Sequence, residues 1–95
     1  MDRQNKKIGI RIKYTDDAKR GAYANNMFIS NTKEEFVLDF ITAFPPEGIV
    51  NSRVIISPGH LKRLIKALGK SLEKYEKSFG DIKEAPEPKE STIIH

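Results

Sequence analysis

The run from Ser57 to Gly80, SPGHLKRLIKALGKSLEKYEKSFG, constrains this chain more than any other, because a start signal, a two-faced body and a stop signal follow without interruption. Ser57 can act as N-cap, Pro58 fits the first helical position where no amide hydrogen is needed, and Gly80 stands where a left-handed C-cap falls. Between them Leu61, Leu64, Ile65, Leu68, Leu72, Tyr75 and Phe79 recur at spacings of three and four, which places them on one stripe of a helix. Lys62, Arg63, Lys66, Lys70, Lys74 and Lys77 take the other side. The spacing predicts a long amphipathic helix that closes the folded part, apolar inward and basic outward.

Upstream the period changes from 3.6 to two. Ile8, Ile10, Ile12 and Tyr14 alternate with Gly9, Arg11 and Lys13, the pattern of a strand with one face buried. Thr15 to Gly21 (TDDAKRG) has the composition of a turn or exposed loop. Tyr23 to Ser30 (YANNMFIS) reads as a second strand, bulged near its asparagine pair. Asn31 to Glu34 connect it to Glu35 to Phe44 (EFVLDFITAF), the most strand-like segment of the chain. There Phe36, Leu38, Phe40 and Thr42 share one face, and Val37, Asp39, Ile41 and Ala43 share the other. The second set is too apolar for a solvated surface and calls for cover. Pro45 to Gly48 end this strand, Ile49 to Ser52 bridge, and Arg53 to Ser57 form a short fourth strand that runs into the helix.

These elements make an α+β fold: a four-stranded antiparallel meander followed by one long C-terminal helix packed on its apolar face. A helix of 22 residues is ~33 Å long, whereas strands of seven or so residues reach ~23 Å, so about two turns of the stripe overhang one sheet. A second copy removes the overhang, and the expectation is a two-fold homodimer with Val37, Ile41, Leu72, Tyr75 and Phe79 at its interface. Residues 1–83 form the single domain. Residues 84–95, rich in Pro and Glu, read as a disordered tail.

Composition narrows the chemistry. The chain has 95 residues and no cysteine, which removes disulfides, thiolate nucleophiles and sulfur-ligated metals and suits a reducing cytoplasm. No apolar run approaches the ~20 residues that span a bilayer, and the N-terminus is unlike a signal peptide. His60 and His95 are the only histidines, and their separation offers no paired-ligand spacing, so no metal and no cofactor is expected. Ser57 and His60 stand three apart, but nothing beside them supplies an orienting group or an oxyanion site, and capping accounts for Ser57. Asp16 and Asp17 read as solvated turn carboxylates. Lys19, Arg20 and Gly21 lack a phosphate-binding glycine pattern. No enzymatic activity is expected.

The formal net charge is +4, and residues 1–83 carry 16 basic against 10 acidic side chains. Lys62, Arg63, Lys66 and Lys70 form a row that can neutralise phosphates, the term that dominates nucleic-acid affinity. Glu73 and Glu76 interrupt the row, and a solvated lysine face serves solubility equally well. Arg11 and Lys13, on the first strand, are the further candidates, because an exposed ring of Tyr23 or Phe28 beside them can stack on a base.

The ordered phrases YANNMFIS, EFVLDFITAFP, SRVIISPGHLKRLIKAL and LEKYEKSFG resemble the prokaryotic family catalogued as domain of unknown function 3467, from about Tyr23 through Ile82. The resemblance implies a small, stand-alone, non-enzymatic protein, some of whose relatives are encoded near genes for RNA polymerase subunits; it brings no catalytic residue. Four strands and a helix opening SP..LK.LI are also similar in layout to single-stranded nucleic-acid-binding regulators of the Whirly, Pur and transcriptional-coactivator type, an analogy of fold alone. The expected function is a binding module for single-stranded nucleic acid or transcription machinery. The alternative is a protein-interaction or accessory subunit without nucleic acid.

Overall fold

The computed structural model describes residues 9–86. Its elements are α1 (Asp16–Arg20), β1 (Asn26–Asn31), β2 (Phe36–Phe44), β3 (Glu47–Ile56) and α2 (Pro58–Phe79). The strands form one antiparallel sheet in the order β1-β2-β3, so the architecture is α+β with a meander and a C-terminal helix. Ile8 and the expected tail beyond residue 86 lie outside the described residues.

Among the described residues the sheet has three strands, not four. Residues 9–15 carry no regular structure, and Ile10, Ile12 and Tyr14 are exposed. The reason lies just after them, where the Thr15 hydroxyl accepts from the Ala18 amide at 3.1 Å and caps α1. A capped helical turn stands where an antiparallel return to β1 needs a hairpin, so the alternating segment is not laid along the sheet. The segment read as loop, Thr15 to Gly21, is therefore helical over five residues.

The second hairpin is tighter than expected. A two-residue turn at Pro45-Pro46, whose peptide bond is cis, pairs Phe44 with Glu47 and Ala43 with Gly48. The stretch taken as a bridge is thus the first half of a ten-residue strand. The bulge also sits elsewhere: Phe40 pairs with Ser52 while Ile41 pairs with Val50, which leaves Asn51 as the extra residue. Without it the pleat would turn Val50 to the same side as Ser52, and the inserted residue returns Ile49 and Val50 to the faces of their β2 partners.

The asparagine pair at the start of β1 extends the ladder rather than bulging it. The Asn25 backbone amide donates to the Ile41 carbonyl at 3.0 Å. Its side chain accepts from the Ala43 amide at 2.8 Å and donates to the Ala43 carbonyl at 2.9 Å, filling both positions of a ladder residue. Next to it the Tyr23 carbonyl accepts from the Thr42 hydroxyl and from the Asn51 amide, at 2.5 and 2.7 Å, and Asn51 also donates to the Thr42 oxygen. These side chains bind the start of β1 to the far end of β2 and occupy the bulged residue.

The helix starts and stops where the sequence places it. The Ser57 hydroxyl accepts from the His60 amide at 3.1 Å, Pro58 opens the first turn, and the Gly80 amide donates to the Glu76 carbonyl with φ of 96° at the glycine. It is not seated on the sheet as expected. Of its apolar stripe only Leu61 and Leu64 are half-buried, and every later member is exposed, between 49% at Leu72 and 76% at Phe79. The cause is the connection. Ser57 alone separates β3 from α2 and is itself extended, whereas folding a helix back on its own sheet takes a loop of ~2–6 residues.

The consequence is a minimal core. Leu38 and Ile41, each 5% exposed on the central strand, are the buried apolar residues among those described. The radius of gyration is 17.8 Å, where a compact chain of this length has about 12 Å.

Candidate interaction surfaces

The pairing register assigns every strand residue to a face. On one, Met27 and Ile29 of β1, Phe36, Leu38, Phe40 and Phe44 of β2, and Ile49, Val54 and Ile56 of β3 stand together. Glu47, at the turn, is its one charged member. On the other, Phe28, Val37, Ile41, Ala43, Val50 and Ile55 surround a single ion pair, Asp39 with Arg53. The two β2 faces read from sequence are the two faces of the sheet. Neither is fully covered: Leu38 is buried on the first and Ile41 on the second, but Ile29, Phe44, Ile49, Val50, Val54 and Ile55 are all exposed.

The ion pair is directly cross-strand. Arg53 Nε donates to Asp39 Oδ1 at 2.6 Å and Nη2 donates to Oδ2 at 3.0 Å, a bidentate fork of the kind that adds geometric specificity to charge. Asp39 is 9% exposed, so a carboxylate there needs its partner. The hydrogen bonds from Arg53 hold its pKa below the ordinary value, with the guanidinium charge acting in the same sense against the desolvation that raises it. The same hydrogen bonds raise Arg53. The strands contain no lysine and no second arginine, so the sheet presents no cation that is not already engaged.

The residues expected to carry a site fall into separate places. Arg11 and Lys13 lie in the irregular segment before α1, exposed and not on the sheet, so they do not flank Tyr23 or Phe28 on a strand. Lys62, Arg63, Lys66 and Lys70 follow α2, all exposed; Arg63 donates to His60 Nδ1 at 3.0 Å. Of the expected interface residues, Ile41 is core and Val37 half-buried, while Leu72, Tyr75 and Phe79 are exposed, with the last two rings 4.9 Å apart. Asn25, Asn51 and Thr42 were invisible as partners in the sequence, since their contacts join positions 9 to 28 residues apart.

Among the described residues no three His, Cys, Asp or Glu side chains group to hold a metal ion, and no helix is long and apolar enough to cross a membrane. The chain matches the family described as protein of unknown function DUF3467 over residues 1–84, and it belongs to that family. The match takes in the irregular N-terminal segment as well as the sheet and helix. No curated protein and no solved structure matches the chain.

Proposed function

We propose that this member of the DUF3467 family is a non-enzymatic protein-interaction module, a cytoplasmic accessory subunit that works as a homodimer. One observation carries the reading: a single chain leaves much of both sheet faces and the helix stripe from Ile65 onward apolar and exposed, and exposed apolar area on this scale marks interaction sites. The face around Asp39 has the anatomy of a surface for a different protein, with Val50 and Ile55 exposed about a polar pair already satisfied. The more apolar face and the helix serve the dimer. The test is capture from native lysate after nuclease treatment. A retained protein partner, lost in Val50→Lys or Ile55→Lys variants whose mass is unchanged, supports the module; loss of all retained protein on nuclease treatment overturns it.

The helix favours a second reading, binding of single-stranded nucleic acid. Lys66 and Lys70 face outward without an ion-pair partner among the described residues. Phosphate contacts release counterions with a slope of ~0.7 per contact on single strands. On this reading an oligonucleotide binds at low salt, and the Lys66→Gln, Lys70→Gln double variant flattens the salt dependence by up to about 1.4. No binding at ~50 mM salt removes it.

A further inference from the structure

We propose that the uncovered stripe of α2 pairs antiparallel with α2 of a second copy, an inference that rests on the dimeric reading above and specifies where its interface lies. The stripe is two interleaved sevens: Leu61, Leu68 and Tyr75, and Ile65, Leu72 and Phe79. That is the seam of a two-helix coil, in which each side chain enters a hole on the facing helix. A helix that lies on a sheet needs a wider stripe, with a flanking position also apolar. From Ile65 onward the flanking positions are Gly69, Ser71, Glu76 and Ser78. The one apolar flank is Leu64, in the first turns, where it and Leu61 are half-buried.

Charge sets the direction. Antiparallel pairing about the helix midpoint places Leu61 opposite Phe79 of the partner subunit, Ile65 opposite Tyr75 of the partner subunit and Leu68 opposite Leu72 of the partner subunit. It also brings Lys62 beside Glu76 of the partner subunit, twice by symmetry. Parallel pairing sets Leu64 against Gly69 and Ser71 against Glu76, with no opposite charges to meet. Gly69 gains a reason as well. Glycine costs a helix interior ~1 kcal/mol relative to alanine, and within the chain nothing lies within 4 Å of the Cβ it lacks. At the midpoint of an antiparallel pair it lets the two backbones approach.

The stripe stands open for a partner: Ile65, Leu68, Leu72, Tyr75 and Phe79 are 49–76% exposed in the single chain.

Because the chain has no cysteine, single-cysteine variants report the geometry directly. Leu68→Cys and Leu72→Cys proteins, mixed and gently oxidised, are expected to form mainly the mixed disulfide, each alone forming little. Dominant homodisulfides in each separate variant overturn the antiparallel register. Absence of any disulfide in a protein that retains dimer mass overturns the seam while leaving the interaction module intact. A second measurement leaves the core of the seam unaltered: Lys62→Glu is expected to weaken dimerisation about tenfold, and Lys62→Glu with Glu76→Lys to restore it. Failure to restore also refutes the register.

Discussion

Leu68→Ala separates the paired helix from a solitary one, because the two states give it opposite signs. In a single chain Leu68 is 61% exposed, and alanine there is neutral or favourable by a few tenths of a kcal/mol of helix propensity. In the paired state the remaining exposure is removed. The substitution deletes three carbons at ~0.8 kcal/mol each when fully buried, and scaling by the 61% that association covers leaves about 1.5 kcal/mol per copy. Two-fold symmetry doubles this to about 3 kcal/mol, which is a dissociation constant raised about a hundredfold. Sedimentation velocity over a dilution series reads that constant, and circular dichroism of the diluted protein checks that the helix persists. A dissociation constant within threefold of the parent refutes the reasoning, since an interface residue at the centre of the seam cannot be truncated silently.

The Asn25 side chain makes two hydrogen bonds to Ala43, so Asn25→Ala is expected to cost about 1–3 kcal/mol in urea unfolding and to speed hydrogen exchange of the Ala43 amide. Unchanged exchange at Ala43 contradicts the clamp. The Asp39 pKa is depressed in the folded chain, so the unfolded state takes up a proton first: the pair's contribution is complete above the ordinary carboxylate value of ~3.9 and is lost as pH falls through the folded value. Asp39→Asn is expected to flatten the acid limb of the stability profile, and an unaltered limb shows that other carboxylates govern it. Ser57→Ala removes the cap on His60 and is expected to cost about 0.5–2 kcal/mol in thermal unfolding; no loss contradicts a capping role.

What the sequence disclosed and what it hid divide by the range of the interaction. The bounds of α2 were legible because Ser57, Pro58 and Gly80 act within one turn of themselves, and the two faces of β2 were legible because the pleat alone fixes them. The fate of Ile10, Ile12 and Tyr14 was not, since alternation states a preference for a sheet without naming an edge, and the Thr15 cap that diverts the chain resembles an ordinary turn. The bulge at Asn51 depends on a register shared by two strands, and the clamp by Asn25 reaches 18 residues along the chain. Local chemistry therefore predicted α2, β2 and most of β1 but missed α1 and the first half of β3, while the arrangement followed from connections, above all the single residue between β3 and α2. For function, the basic row on α2 was visible in the spacing, but the shortage of cations on the sheet became clear only once Arg11 and Lys13 were found outside the strands.

The central claim is that one copy of this chain does not complete its own apolar surfaces and a second copy does. Light scattering on the wild-type protein at micromolar concentration tests it most directly. The account predicts a mass of twice the 10.8 kDa chain, falling toward one chain only as dilution unfolds or dissociates it. A stable, folded protein of 10.8 kDa across that range contradicts it.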